Sequence, residues 1–568
     1  MSSVEAVLSG HVGADPQPRT KGVHLPQWQR MLTLLAVVSL FIGTRKTWTG
    51  AVAGHPVLGA GVSACYVGIL VCAVLALVVR GGRALGRVDL AVLVVAVALA
   101  VAGTLVSHPP NDEASLTWQA ARELAHGRPV YGQSWPWLFD RPGVAYTQTD
   151  TGGYATTYGY PPLAVLLTAP LTGVLHGYAA ATAVSVGALV VGTCVLWAMV
   201  PGAWRGAVTT ACLGFGLVPG YARLGYPAVL ACALLMPVVA GWPRLLRSGR
   251  LTRSDAVRAG CLGAACAAHQ LPWFVAPFLL AGLYLVRRGV SGTREAAGAV
   301  GRFAGVAAGV WLLLNTYFIV QDPVEWLRGT ALPLTQGALI HGQGLVLVSL
   351  HLTDGSGWLR FYSYASVLLA AGLLVVFCLF VRRLGPAATV LPWCAFYVAT
   401  RSQDGYYLLM TPLWVAAAAT VTHADFARAW RPLRIRTRKS QMTLVTAVLA
   451  PSLVCAALAV AGPVPLDLRQ PVARAAPGRG GITEVSVDVT NHGGSALAPH
   501  FAVSTGQGLS RWWIRTAGPG RLAPGAQAHY VLRPATGTYP MPRPGKRLRL
   551  RVFTSDPSTL TSADLARP

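Results

Sequence analysis

Two adjacent carboxylates, Asp112 and Glu113, follow His108-Pro109-Pro110-Asn111 directly after a long apolar block. A carboxylate where a chain leaves a membrane is costly unless it is solvated, paired or used. One use is general-base catalysis, in which it takes the proton of a hydroxyl that attacks an activated carbon. A plainer use is capping, because Asn111, Asp112 and Glu113 all suit the first turn of a helix. Arg401 stands among Ser402, Gln403 and Asp404; its guanidinium suits a phosphate, with pairing to Asp404 as the alternative. Arg223, between Tyr221 and Tyr226, offers the same chemistry, with snorkelling to lipid headgroups as its alternative. His269 with Gln270 and His341 with Gln343 are polar pairs able to donate to an anion or to serve structure. Near the C-terminus, Trp512, Trp513 and Tyr530 could stack on sugar rings; strand alternation instead puts one Trp in a core and the other outside.

These residues must be held by a chain built for a membrane. Only 12% of its 568 residues are charged and 53% are hydrophobic, against about 25% charged in an ordinary soluble domain. The blocks 57–79, 88–106, 361–381 and 443–460 are almost free of charge. At about 1.5 Å per residue, each can cross a hydrocarbon core of roughly 30 Å. The formal net charge of +26 does not mark a nucleic-acid binder, because the basic residues crowd into short linkers at 80–87, 244–253, 287–302, 382–383 and 428–439. That is the positive-inside pattern, with membrane lipids as the partners of the charge. All ten cysteines lie in or beside apolar segments and read as small packing residues. None follows Cys455, and none has the spacing of a metal site.

With the basic linkers inside, residues 1–30 form a cytoplasmic N-terminal segment ahead of an uncleaved first span. Spans near 31–49, 57–79 and 88–106 leave 107–160 outside. The Pro-rich run 161–175 is expected to be short or re-entrant. Residues 256–286 read as two helices broken at Gln270-Leu271-Pro272, and 303–320, 361–381, 386–400, 406–421 and 442–463 as further spans. The expected total is about 11–14 spans, odd in number, so that the C-terminus lies outside. From 465 the pattern changes to alternation, as in Val485-Ser486-Val487-Asp488-Val489 and Leu548-Arg549-Leu550-Arg551-Val552, with turns at Asn491-His492-Gly493-Gly494 and Pro524-Gly525. Period-two alternation with frequent turns predicts a small β-sandwich over 465–568. The fold class is thus mainly α: a polytopic transmembrane helical bundle over 31–464, with a small C-terminal extracytoplasmic β-sandwich.

The order of these pieces resembles that of the GT-C glycosyltransferases, multi-spanning enzymes that move a sugar from a polyprenyl-phosphate donor. They carry an Asp, often Asp-Glu, just beyond an early span. A helix ending in small-x-x-Leu-x-x-Gly-x-x-x-Tyr follows, and Tyr-Pro-Pro-Leu opens the next apolar segment. Here these are Asp112-Glu113, the stretch 121–131 with Gly127 and Tyr131, and Tyr160-Pro161-Pro162-Leu163. Family 87, which includes actinobacterial polyprenyl-phosphate-mannose-dependent mannosyltransferases, is the subgroup most resembled. Ala268-His269-Gln270-Leu271-Pro272-Trp273 is similar to its Ala-Thr-Lys-Gln helix break, with His269 where Lys is usual. Gly342-Gln343-Gly344-Leu345 is similar to a later external segment, and Thr400-Arg401-Ser402-Gln403-Asp404-Gly405-Tyr406-Tyr407 to the polar break before the penultimate span. The resemblance covers most of 30–460.

The resemblance implies an inverting transfer on the outer face of a bacterial cytoplasmic membrane, with 107–160 as the catalytic loop. The family's catalytic Asp aligns with Asp112 or Glu113, and Asp112 is the expected base. Arg401, then Arg223, His269 and Gln270, are expected at the donor phosphate. Tyr131, Tyr160, His341, Gln343, Asp404 and Tyr406 are expected to touch substrate, and Trp512 and Trp513 are candidates for glycan binding. The donor is a polyprenyl-phosphate sugar, mannose ahead of arabinose, and the acceptor a glycolipid or envelope glycan. Lipid phosphate is an adequate leaving group, so no metal cofactor is required in principle; some relatives use a divalent cation, and that option stays open. Two rivals remain: a flippase for lipid-linked saccharides, which would show inverted repeats, and a non-catalytic envelope-assembly protein, in which Asp112, Glu113 and Arg401 would not converge.

Overall fold

The computed structural model describes residues 25–106, 111–140, 144–433, 437–475, 481–543 and 545–566. Most of the N-terminal segment 1–30 and the His108-Pro109-Pro110 lead into the loop after α4 lie outside the described residues. The chain is a multi-pass helical membrane protein with antiparallel sheets at its C-terminus.

The bundle opens with α1 (Leu25–Gly43) and α2 (Arg45–Gly54), which meet at a bend of 41°. Next come α3 (Pro56–Val78) and α4 (Gly82–Ala102), then the site helix α5 (Asp112–Ala125). The following stretch is broken into α6 (Leu163–Thr168), α7 (Ala179–Met199), α8 (Arg205–Leu213), α9 (Leu217–Arg223) and α10 (Pro227–Val239). α11 (Arg253–Ala268), α12 (Leu271–Ser291), α13 (Thr293–Gln321) and α14 (Pro323–Thr335) lead to a looped segment, after which α15 (Arg360–Leu379) returns to the bundle. Short helices α16 (Val381–Leu384), α17 (Leu391–Cys394), α18 (Asp404–Leu408) and α19 (Thr411–Thr420) precede the last helix, α20 (Arg438–Ala461).

Seven of the described helices, α3, α4, α7, α12, α13, α15 and α20, are long and apolar enough to cross a membrane, and the bent α1–α2 pair makes up to eight. The difference from 11–14 has a physical source. The apolar stretches 386–400 and 406–421 contain Pro392 and Pro412, each at the start of a short helix, and fold as short helical pieces. A ten-residue helix such as α19 covers only about half of a hydrocarbon core. Likewise 161–175 folds as α6 and a single 3₁₀ turn, as expected of a short element. Phe215 (φ 52°) and Gly216 (φ 68°) separate α8 from α9.

The two ends of the bundle differ in chemistry. At one end the basic linkers gather: Arg244 and Arg247 lie 3.4 and 3.5 Å from Asp425, Arg302 donates to the Gly249 carbonyl, and Arg382 to that of Ala429. At the other end sit the segment after α4, the loop before α15 and the C-terminal domain. Inside the bundle, the buried Asp89 of α4 accepts hydrogen bonds from Gln29 (2.6 Å) and Thr33 (2.5 Å) of α1. Both its oxygens are thereby satisfied, which is what a carboxylate among apolar helices requires. Among the described residues the cysteines are all free thiols.

The C-terminal domain is a sandwich of two sheets sharing one core. Two-residue strands β1 (His341–Gly342), β2 (Gly355–Ser356) and β3 (Arg401–Ser402) belong to the membrane domain. The sandwich strands are β4 (Leu466–Ala475), β5 (Gly481–Asn491), β6 (His500–Thr505), β7 (Gly508–Leu509), β8 (Trp513–Ala517), β9 (Gln527–Pro534), β10 (Tyr539–Pro540), β11 (Leu548–Ser555) and β12 (Ser558–Asp564). One sheet runs β10-β5-β9-β8 with β4 on β5; the other runs β2-β12-β11-β6-β7. Val485, Val487 and Val489 face Phe501, Val503, Leu550 and Val552 across the core, as period-two alternation dictates. One strand of the second sheet, β2, comes from the loop before α15, paired as Ser356 to Leu560 and Gly355 to Thr561. Arg551 donates to the Leu350 carbonyl, Arg549 to Asp354, Trp512 to the Gly153 carbonyl and Arg511 to that of Phe139. The sandwich is therefore bound to both looped segments.

Candidate active site

Asn111 takes the capping role at the start of α5: its Oδ1 accepts from Ala114 N–H at 3.0 Å. Asp112 and Glu113 are left for other work. Asp112 Oδ1 accepts from Glu113 N–H, and Oδ2 accepts from Thr147 Oγ1 at 2.7 Å. Glu113 Oε1 accepts from the Tyr160 hydroxyl, while Oε2 is enclosed and has no hydrogen-bond partner among the described residues. Burial first, and then the negative charge of Asp112, push the Glu113 carboxyl up to about 8, against the pull of the Tyr160 hydrogen bond and the Arg401 charge. Two neighbouring carboxyls thus differ in environment, an arrangement that separates acid and base roles. Gly225 packs directly on Ala114, bringing Tyr226 to face Asn111 and both carboxylates.

Arg401 enters from the opposite side. It lies on β3, which pairs in parallel with β1 (His341 to Arg401, Gly342 to Ser402). A Cβ on Gly342 would overlap the Ser402 carbonyl, and one on Gly344 the Tyr397 carbonyl, so this Gly-x-Gly is what lets the two segments touch. The Arg401 guanidinium makes no ion pair within 4.0 Å among the described residues, and its buried Nε has no partner. Burial weakens its charged form, and Tyr406, Tyr160, Asp112 and Glu113 more than offset that, so its proton affinity rises. Asp404 is not its partner: that carboxylate accepts from Gly405 N–H and meets the Tyr221 hydroxyl.

Arg401, His269 and Tyr406 line a cavity of about 380 Å³ whose walls include Phe274, Ile340, Val367 and Phe396. The far wall carries Asp150 and Arg360, and the sandwich contributes Phe553 and Ser558. The cavity is mostly apolar, and Arg401 in its lining is coupled by charge to Asp112 and Glu113, which lie behind the lining.

The remaining expected residues divide by what they touch. Tyr160 is at the site, stacked on His269 at 5.0 Å between ring centres. His269 Nδ1 accepts from Leu271 N–H at 3.0 Å, so the ring presents a neutral N–H and no fixed charge. Gln270 differs from the expectation: both hydrogens of its amide are spent on the carbonyls of Gly159 (2.9 Å) and Thr330 (2.7 Å). It ties the helix break to the loop at Gly159 and to α14, which leaves neither amide hydrogen free for a phosphate. Tyr131 is buried, donates to the Tyr160 carbonyl and packs on Phe318, so it supports Tyr160 from behind. His341 and Gln343 hold β3 through their backbones, donating to Thr400 and Ser402 carbonyls, with exposed side chains.

Arg223 also departs from the expectation: it donates to Thr47 and lines a separate cavity. Trp513 fills the sandwich core and Trp512 is buried against the loop around Gly153, so neither ring is open for stacking on a glycan. Alternation did predict one Trp inside; the docked loop covers the other. Thr147, Phe553 and Ser558 were not singled out by sequence, since none sits in a motif, and Tyr226 was noted only as a neighbour of Arg223; the fold alone brings them here. Among the described residues no three His, Cys, Asp or Glu side chains gather to hold a metal ion. No protein-family model matches the chain, and no curated protein matches it significantly.

Proposed function

We propose that this chain is a membrane glycosyltransferase that moves a sugar, mannose ahead of arabinose, from a polyprenyl-phosphate donor to a glycolipid or envelope-glycan acceptor. The observation that supports this best is the electrostatic convergence of Asp112 and Glu113 on Arg401, which has no ion pair among the described residues and lines a mostly apolar cavity. A scaffold protein has no need to hold a guanidinium with a buried, unpartnered Nε beside two carboxylates, because each such group costs stability. The order of motifs resembling family 87 supports the same reading.

In the proposed reaction Asp112 takes the proton of the acceptor hydroxyl. The acceptor oxygen forms a bond to the anomeric carbon from the face opposite the phosphate. The bond from that carbon to the phosphate oxygen breaks, its electron pair leaving with the lipid phosphate, and the configuration inverts. Arg401 stabilises the charge that grows on the departing phosphate. Tyr160 holds Glu113, and Glu113, with its high proton affinity, remains mostly neutral beside the base. The site faces the outside of a bacterial cytoplasmic membrane, opposite the basic linkers.

The test is transfer of labelled sugar from polyprenyl-phosphate-mannose to a membrane glycolipid extract by the purified protein in lipid, with Asp112→Asn beside it. We expect transfer by the wild type and a loss of roughly 10²–10⁴-fold in the variant. Transfer undiminished in Asp112→Asn moves the base to Glu113. No transfer from either the mannose or the arabinose lipid rejects the assignment.

A further inference from the structure

A second cavity lies at the same end of the bundle as the carboxylates, and the transfer reaction has no part for it. It measures about 390 Å³, within the range of small-ligand sites of roughly 300–1,000 Å³, and sits between the start of α2, the end of α4 and α9. Lys46 and Arg223 line it, and no carboxylate does. The Arg223 guanidinium is held in place: Nη1 donates to Thr47 Oγ1 at 2.8 Å, and the guanidinium rests over Gly103, where a Cβ would come within 3.0 Å of Nη1. A snorkelling arginine would point its head to water; this one is braced inside a wall. The Lys46 ammonium makes no hydrogen bond or ion pair among the described residues, and Gly220 leaves a bare stretch of the lining, since a Cβ there would meet nothing within 4 Å.

The position of these cations is unusual. The linkers that follow the positive-inside pattern lie at the other end of the bundle, tied together through Asp425, Gly249 and Ala429. Arg45, Lys46 and Arg223 stand apart from them, so topology does not account for their charge. Around them the surface is apolar and exposed, with Phe41, Leu105, Phe215 and Leu217 outward and Trp48 at the level of the cations. Trp beside basic groups marks the headgroup layer, and exposed apolar side chains mark the acyl layer. The cavity therefore offers two cations to an anion and an apolar flank to attached chains.

We infer that this cavity binds the phosphate headgroup of an anionic lipid drawn from the surrounding leaflet. Arg223 and Lys46 would take the phosphate oxygens by charge-assisted hydrogen bonds, with the acyl chains lying along Phe215 and Leu217. The inference does not depend on the transferase reading, because no sugar donor enters it. Tyr221 lines this cavity while its hydroxyl meets Asp404 beside Arg401, so a bound headgroup would lie next to the candidate active site.

The experiment uses the full chain, delipidated in neutral detergent and offered phosphatidylglycerol, an uncharged galactolipid or inorganic phosphate, with retained lipid read by native mass spectrometry. Wild type should retain phosphatidylglycerol over galactolipid. Arg223→Gln and Lys46→Gln should each retain roughly tenfold less, the loss expected for one charge-assisted contact. Arg247→Gln, at the opposite end, should match wild type. Lys46 is exposed and braces nothing, so its variant reports on binding even if Arg223→Gln unfolds. Unchanged retention in Lys46→Gln and in a folded Arg223→Gln overturns the inference. Displacement of the lipid by millimolar inorganic phosphate would assign the site to a free anion and reject the lipid.

Discussion

At the residue scale the proposed chemistry rests on the pair Asp112 and Glu113. Sequence located both and could not divide their roles, because capping, pairing and catalysis all suit adjacent acids. The fold divides them: Asn111 caps, Thr147 holds Asp112, and Tyr160 holds Glu113 in a pocket that leaves Oε2 without a partner. The Glu113 carboxyl is raised from its ordinary 4.5 to about 8. The unfolded chain therefore releases this proton at lower pH than the folded one. Its contribution to stability is fully present below about pH 4.5 and is lost as pH rises through about 8. Glu113→Gln, which cannot ionise, should escape that decline. We expect the thermal midpoint of wild type to fall relative to the variant between pH 4.5 and 8, and a constant difference would refute the shift. Arg401 was legible for its isolation among polar residues. That Asp404 leaves it unpaired was not, since the Tyr221 hydroxyl that engages Asp404 is about 180 residues away in sequence.

At the element scale, breaks matter more than helices. The break between α11 and α12 was readable from Gln270-Leu271-Pro272, because proline at the second position starts a helix and cannot continue one. What the break does was not readable: Gln270 reaches across to Gly159 and Thr330. Gln270→Ala would strand both carbonyls at a cost of about 1–3 kcal/mol each if they stay dry, and should lower the thermal midpoint while leaving Asp112 and Arg401 in the chain. The β1–β3 contact is a second such device. Gly342 (φ +120°) occupies a backbone region closed to other residues and abuts the Ser402 carbonyl. Gly342→Ala should push β3 away and raise the KM for the lipid donor more than it lowers kcat; an unchanged KM would separate Arg401 from donor binding. The surplus of expected spans has the same origin, since hydropathy counts apolar residues and cannot see that Pro392 and Pro412 restart the chain in pieces too short to cross.

At the scale of the whole molecule, the sandwich is part of the site's architecture. Its edge accepts β2 from the membrane domain, Trp512 reaches Gly153, and Phe553 and Ser558 wall the cavity. Removal of 465–568 should therefore lower transfer even where the bundle persists, and Trp512→Ala should loosen the domain, measured as faster proteolysis between 463 and 481. A truncated protein of full activity would show the wall to be dispensable. Membrane character, the basic and loop-bearing ends, the broken α11–α12 junction and the terminal sandwich were all set by sequence alone. They follow from composition and period, which are local properties of a chain. The tertiary structure decided which acid is held by what, which arginine stays unpaired, where Trp512 and Trp513 go and how many apolar stretches form full helices. Those outcomes depend on residues far apart in sequence that meet only after packing, and a burial or a hydrogen-bond partner has no value until its neighbour arrives.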